Sequence, residues 1–378
     1  MNDERTAYGG ITPGLIAQSF PRRASGSYLD TAAIGLVPES VPEAVARCYE
    51  ALSQGTRGSS SWRQVVEATA QEFADEFGVA VDDISFMAST GEAMNAIARA
   101  VDWHEGDEVL VLADDFPTVR LPWSKLGGGV RLVCVHPQPG DDRLGALLGS
   151  LSTRTRVVSA AQVCSHTGTR IDLQKLGAAC AEVGALLVAD GAQSAGVRPV
   201  DLRNVDCFIA TGYKWLLAGF GVAVVVAKQS SLEGLEPTLL GHSNEPPSHR
   251  LQYGHVNLPG VYALHAAAEV RRQIGREAIE ARMTELVGRI HAAALELALA
   301  PIGVSSELTG IVCLAGIPDS EDAARSLAAE GVFVASRQGN LRVSPYLYTS
   351  DQDVDRAIKA LARLAETVHA SQRRRANS

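Results

Sequence analysis

The chain has 378 residues, 46% hydrophobic and 20% charged, with 35 Gly and 16 Pro. This is ordinary globular composition, which excludes collagen-like, coiled-coil and repeat architectures and supplies apolar material for a sizeable core. Lys and Arg number 34 against 43 Asp and Glu, a formal net charge of −9 that repels phosphates and anionic membranes, so neither nucleic acid nor a membrane is expected as a partner.

Met1, Asn2, Asp3, Glu4 and Arg5 open the chain with no apolar stretch behind them, so no secretory signal is expected and the cytoplasm is the expected location. From residue 77 to 226, short apolar runs alternate with helical patterns. The runs are Ile84-Ser85-Phe86-Met87, Val109-Leu110-Val111-Leu112, Leu132-Val133-Cys134-Val135, Val157-Val158, Leu186-Leu187-Val188-Ala189, Cys207-Phe208-Ile209 and residues 222–226. Continuous apolarity predicts strands buried on both faces, hence a mainly parallel sheet covered by helices. Helices are predicted over residues 93–101, opened by Ser89-Thr90-Gly91-Glu92, and over 173–183, capped by Asp172.

After Lys228 the texture changes to a proline-containing, loop-rich stretch over residues 235–259. A long amphipathic helix is predicted over 262–299, then a strand at 310–314, a helix from Asp322, a strand at 332–334 and a last helix from Asp351 to about residue 370. The expected fold class is α/β: a large domain, residues 21–261, with a mainly parallel sheet, and a smaller α+β domain, residues 262–378, with residues 1–20 packing nearby. Arg373, Arg374 and Arg375 form the one concentrated basic patch and read as a solvated tail. Cys48, Cys134, Cys164, Cys180, Cys207 and Cys313 show neither C-x-x-C pairs nor metal-ligand spacing, so no metal site or disulfide framework is expected.

The densest chemistry is Ala189-Asp190-Gly191-Ala192-Gln193-Ser194 followed by Thr211-Gly212-Tyr213-Lys214-Trp215. Both segments fall at the C-terminal ends of predicted parallel strands, where open α/β sheets place ligands. An aspartate there can hold a pyridinium nitrogen, and a lysine ending the next strand can form a Schiff base, the electron-sink arrangement of pyridoxal phosphate. The alternative is that Asp190 caps a helix and Lys214 is a loop lysine.

With their surroundings, these motifs resemble fold-type I pyridoxal-phosphate enzymes of the class V aminotransferase group, which holds cysteine desulfurases, selenocysteine lyases, kynureninases and isopenicillin-N-epimerase-like proteins. The resemblance begins at Tyr28-Leu29-Asp30-Thr31-Ala32-Ala33, similar to the group's YLDNAA signature, and extends to Leu341-Arg342-Val343-Ser344-Pro345. It implies Lys214 as the Schiff-base lysine and general base, Asp190 as the pyridinium partner and Gln193 beside the phenolic oxygen. Ser89-Thr90-Gly91-Glu92-Ala93-Met94-Asn95 resembles GTTEAIN, which implies Thr90 and Gly91 as the phosphate cradle, with Thr211 and Tyr213 assisting; Tyr213 departs from the group's usual His.

Asp115-Phe116-Pro117 resembles the start of EFPSNVYPW, making Phe116 the aromatic candidate to cover the ring, or else loop core. Cys164-Ser165-His166-Thr167-Gly168 resembles the SNxTG loop with Ser165 at the usual Asn; His166 is a substrate contact or a plain loop histidine. Arg342 matches the arginine that clamps the substrate carboxylate. Arg250-Leu251-Gln252-Tyr253-Gly254-His255 resembles a loop that reaches the neighbouring subunit's cofactor phosphate, implying a homodimer with His255 at the cofactor.

Between Arg337 and Arg342, where desulfurases commonly carry their nucleophilic cysteine, stand Gln338, Gly339, Asn340 and Leu341. That disfavours a persulfide mechanism. β-Elimination from a cysteine S-conjugate, a C–S lyase reaction on an amino-acid substrate, is the expected activity. Transamination, epimerisation and oxidative decarboxylation stay open. Against a pyridoxal-binding protein without catalysis stands the joint presence of Asp190, Gln193, Lys214 and Arg342.

Overall fold

The structure, a computed structural model, describes residues 13–21, 26–137, 142–232, 235–244, 251–302 and 309–376. The readings made on Met1 to Arg5 and on Arg250 lie outside the described residues. The chain divides into two compact units, one of Ser40–Val163 with Ile171–Glu269, the other of Met1–Glu39, Cys164–Arg170 and Val270–Ser378.

The first unit is built on a seven-stranded sheet in the order Ile84–Met87, Ala223–Ala227, Cys207–Thr211, Leu186–Asp190, Thr155–Ala161, Glu108–Leu112, Arg131–Val135. Only Ala223–Ala227 runs antiparallel to its neighbours; the other pairings are parallel. The predicted runs all became strands. Glu108–Leu112, Cys207–Thr211 and Ala223–Ala227 are buried along their whole length, because helices cover both faces of a sheet whose crossovers are helical. Arg131–Val135 departs from that expectation. It is an edge strand with a single partner, its residues half-buried or exposed, and Cys134 is exposed with it.

Helix Thr90–Ala100 turns Ala93, Met94 and Ile97 into the core formed with Val109, Val111, Val157, Val188, Ile209 and Val225. It starts at a serine N-cap: Ser89 Oγ accepts from Glu92 N at 3.1 Å, and Glu92 Oε2 reaches back to accept from Ala88 N, one residue before the cap, at 2.7 Å. Helix Leu173–Val183 is capped as predicted, with Asp172 Oδ1 accepting from Gln174 N and Lys175 N.

The second unit holds a four-stranded antiparallel sheet in the order Ala335–Arg337, Asn340–Val343, Val312–Ala315, Ala300–Pro301, with helices Arg276–Glu296, Ser320–Ala329 and Asp351–Ala376. The last helix extends past residue 370 and takes in Arg373, Arg374 and Arg375. Two sequence expectations are corrected here. Residues 21–39 group with this unit because Ser27–Tyr28 pairs in parallel with Val332–Phe333 and Asp30 bridges Ser344; residues 164–170 also leave the 21–261 span. The single helix over 262–299 is two, Leu258–Ile274 and Arg276–Glu296, broken where Gly275 takes φ 89°, a left-handed value that glycine adopts without steric penalty. Among the described residues no helix is long and apolar enough to cross a membrane.

Candidate active site

Asp190 ends its strand, and the chain turns at once over the ring of Phe208. A Cβ on Gly191 would lie 1.9 Å from Phe208 Cζ, so the turn that aims Asp190 requires glycine. The aspartate is 6% exposed, and its Oδ1 accepts from Ala192 N at 2.7 Å. Burial raises its pKa, opposed by the Ala192 N–H and the Lys214 ammonium. A carboxylate held in that balance gains from a further cationic N–H donor.

Lys214 follows the neighbouring strand, Cys207–Thr211, in a loop closed by Gly212 N donating to Val222 O at 2.9 Å and Ala218 N to Gly212 O at 2.8 Å. Leu217, fully buried, takes φ 61° in this loop, a backbone strain of the kind that collects at functional sites. Lys214 is itself buried, with Nζ 5.7 Å from the centroid of the Phe116 ring and 5.6 Å from that of Tyr213. Tyr213 stacks on Phe220 at 4.5 Å, and its hydroxyl pKa is raised by burial and by Asp190. Gln193 Oε1 accepts from the buried Trp215 Nε1 at 2.8 Å, which orients the Gln193 amide. Thr211 is buried at the strand end.

Thr90 and Gly91 lie in the first turn of helix Thr90–Ala100. A Cβ on Gly91 would meet nothing nearer than Ser89 Oγ at 3.6 Å, so packing within the chain leaves this helix start open. Tyr253 Oη donates to Glu92 Oε1 at 2.9 Å, tying the segment that bears His255 to the same helix start. His255 itself is exposed, its ring 4.2 Å from that of His242.

Neither Asp115, which heads the Phe116 motif, nor Arg143 has a role implied by the sequence. Asp115 is buried, accepting from Arg143 Nη2 at 2.5 Å and from Ala161 N at 3.0 Å. Burial outweighs those donors and pushes its carboxyl up to about 6, with Asp114 and Asp190 acting in the same direction.

In the second unit Arg342 is 2% exposed, not the surface residue that a strand arginine suggests. Its Nη1 donates to Ser165 O at 2.8 Å and Nη2 to Asp30 Oδ1 at 3.1 Å, while the buried Nε has no hydrogen-bond partner among the described residues. Burial lowers the Arg342 pKa and raises that of Asp30. His166 is buried, with Nδ1 3.2 Å from Cys164 Sγ. Ser165, His166 and Arg342 therefore share one unit; Phe116, Asp190, Gln193, Thr211, Tyr213 and Lys214, with Thr90, Gly91 and His255, share the other.

The interval from Arg337 to Arg342 is a tight β-hairpin. Arg337 pairs with Asn340 and Ala335 with Arg342, and the turn residues Gln338 and Gly339 take φ 49° and 80°, as a two-residue type I′ turn requires. Cys313 faces Arg342 across the sheet, fully buried, its thiol pushed up to about 12 by burial.

Pyridoxal phosphate fits the first unit. A buried carboxylate stands one strand away from a buried lysine whose amine lies near two aromatic rings, and an open helix start is available for a phosphate.

The family model for aminotransferase class-V matches residues 27–359. The chain is 25% identical over 402 residues to a probable cysteine desulfurase of Pyrococcus abyssi, covering 95% of this chain and 99% of that protein. Its fold is similar to the apo cysteine desulfurase of Thermococcus onnurineus NA1, with TM-score 0.85 and 23% identity over 94% of this chain and 98% of that one. It is also similar to the cystine C–S lyase C-DES in complex with its reaction product cysteine persulfide, with TM-score 0.81 and 21% identity over 92% and 99%. The chain belongs to the class V aminotransferase family and is a pyridoxal-phosphate-dependent enzyme of fold type I.

Proposed function

We propose that this enzyme is a C–S lyase that removes the sulfur substituent of an S-conjugated cysteine by β-elimination. The observation that carries the reading is the Arg337–Arg342 hairpin. Its turn is Gln338-Gly339, so the interval has neither a cysteine nor the length of a mobile loop. Cys313, across the sheet, has a thiol disfavoured as a thiolate.

Bound pyridoxal phosphate supplies the electron sink for the pair released at the substrate Cα. Asp190 would hold the ring N–H, Gln193 would serve the phenolic oxygen, and Phe116 would cover a ring face. Thr90 and Gly91, with Thr211 and Tyr213, would receive the phosphate. Lys214 supplies the amine that anchors the cofactor, and its Nζ then takes the Cα proton. Arg342 receives the substrate carboxylate on its planar fork, with Ser165 and His166 beside it. The overall reaction consumes water and the S-conjugate and yields a thiol, pyruvate and ammonia. A cytoplasmic homodimer is part of the reading, with the His255 segment reaching the partner's cofactor; sedimentation that finds a fully active monomer refutes the dimer.

A second reading, cysteine desulfurase, draws on the name of the Pyrococcus abyssi relative. Products separate the two. The cofactor-loaded protein is given cysteine, cystine and a panel of S-alkyl cysteines, and pyruvate, alanine and protein-bound persulfide are measured. Elimination yields pyruvate stoichiometric with thiol, and single replacement of each of the six cysteines leaves turnover within a few-fold. Alanine with a trapped persulfide, to be sought first at Cys164 beside His166, overturns it. A keto acid that retains the sulfur, with the cofactor left in its amine form, means transamination instead.

A further inference from the structure

Asp115 has no role in the reading above, yet every polar group it carries is engaged. Its N–H donates to Leu112 O at 3.1 Å and its carbonyl accepts from Arg120 Nε at 2.9 Å. Its two carboxylate oxygens take Arg143 Nη2 and Ala161 N. Arg143 is buried as well, and its other terminal nitrogen holds Asp114. A guanidinium and a carboxylate withdrawn from water together are a poor source of stability, since apolar residues of similar volume do as well or better. Their placement gives them a different use.

On one side of the carboxylate lies the strand end that neighbours Asp190. Ala161, whose N–H Asp115 accepts, is the register partner of Asp190, and Gln162 N donates to Asp190 O at 3.0 Å. On the other side lies Phe116, the next residue in the chain. The residue is 49% exposed, so little surrounding packing holds it, yet its ring centroid stands 5.7 Å from Lys214 Nζ. The backbone of Phe116, set before Pro117 at the head of a single helical turn, takes its position from the anchored residue before it. One carboxylate thus joins the strand end beside Asp190 to the turn that presents an aromatic ring to Lys214.

We propose that Asp115 and Arg143 are a positioning pair for the cofactor site: Arg143 locks Asp115 across the end of the Thr155–Ala161 strand, and the lock holds Phe116 over Lys214. The inference rests on the reading of Lys214 and Asp190 as the cofactor site. Arginine suits the task because its planar fork engages Asp114 and Asp115 at once, whereas a lysine would hold one of them as a point charge.

The test compares cofactor-loaded parent, Arg143→Gln, Arg143→Lys, Asp115→Asn, Phe116→Leu and the Arg143→Gln/Phe116→Leu double variant. Visible circular dichroism of the bound cofactor, kcat, KM and melting temperature are read for each. In Arg143→Gln the visible dichroism should change in amplitude and kcat should fall roughly 10- to 100-fold, the scale of a misplaced contact group, with KM nearly constant. Arg143→Lys should recover part of both. The double variant should be little worse than Arg143→Gln alone, because the ring has already lost its position. If Arg143→Gln does not fold, Asp115→Asn, which keeps the shape of the side chain and an acceptor for Ala161 N, should give the same spectral change. A lower melting temperature with unchanged dichroism and kcat makes the pair structural and overturns the inference alone. A parent that takes up no cofactor overturns the cofactor-site reading and the inference with it.

Discussion

Gly191→Ala should damage stability and turnover together, by amounts that follow from the packing at the strand end. The added methyl would sit 1.9 Å from Phe208 Cζ, with the two flanking ring carbons at 2.4 and 2.6 Å. Carbon atoms pack at about 3.5 Å, so the contact is short by about 1.6 Å, and either the ring or the Asp190 strand end has to move. The ring is fully buried and set edge-on to Phe77 at 5.4 Å, so much of the displacement falls on the backbone of residues 190–192. Overpacking of this kind costs about 1–3 kcal/mol, equivalent to a melting point lower by roughly 3–10 °C for a unit of this size. A shift of about 1 Å at a group that must meet the cofactor costs on the order of a hundredfold in rate. Differential scanning calorimetry and pyruvate release at saturating cofactor measure the two effects. Phe208→Leu, which removes the clashing ring edge, should return part of both losses in the double variant, with a coupling of about 0.5–3 kcal/mol. A Gly191→Ala protein with parental melting point and turnover would show that the turn has slack and that Asp190 is not aimed by it.

Lys214→Ala should reduce turnover to below a few per cent while the fold and part of the cofactor affinity remain, because the helix start at Thr90 and Gly91 is untouched; cofactor titration and steady-state rates check it. Arg342→Lys should raise KM roughly 10- to 150-fold, the worth of a charge-assisted hydrogen bond, and leave kcat within a few-fold, since a carboxylate clamp acts in ground and transition states alike. The third concerns pH. Burial holds the Asp115 carboxyl at about 6 against an ordinary 3.8, so between those values the folded chain binds more protons than the unfolded one and stability falls as pH rises. The difference is on the order of 3 kcal/mol, at 1.36 kcal/mol per pH unit. Urea unfolding of the cofactor-free protein from pH 4 to 7 should show this slope, and Asp115→Asn should lessen it; equal slopes in the two proteins would refute the assignment.

Asp190 and Lys214 were legible in the sequence because each ends a short apolar run, and the two runs became neighbouring strands with Ala189 and Phe208 in register. A glycine inside the 262–299 pattern was a visible signal for the helix break, outweighed there by apolar periodicity on both sides of Gly275. Other features left no local trace. Ser27 meets Val332 and Asp30 meets Ser344, pairings that span most of the chain and carried residues 21–39 away from the unit that sequence order assigns them. Asp115 and Arg143 are separated by the whole Arg131–Val135 strand. An arginine at the start of a short helix and an aspartate in a turn each look like surface residues until the fold buries them together. Trp215 was in view beside Lys214, but its hold on Gln193 depends on how two strand ends are brought side by side.

The distribution of buried charge argues for function over stability. Asp115 and Asp190 lie at or just past the C-terminal ends of parallel strands in one sheet, and in both, burial shifts the carboxyl toward its neutral form. A chain tuned only to fold would gain from neutral residues at both places. The two charges are held differently. Asp115 is tied off by Arg143 and Ala161 N, whereas the donors described for Asp190 are one backbone N–H at 2.7 Å and the nearby Lys214 ammonium. A carboxylate kept ionised by a permanent partner serves the protein's own geometry, while one kept with capacity to spare serves a ligand. That contrast supports the proposed roles, Asp115 in positioning and Asp190 at the cofactor, and it makes the two distinguishable by one measurement. Cofactor binding should stabilise the Asp190-containing parent by more than it stabilises Asp190→Asn, while Asp115→Asn should leave that increment nearly intact and change the visible dichroism instead. Equal cofactor-induced stabilisation in parent and Asp190→Asn would mean that the ring nitrogen does not use this carboxylate.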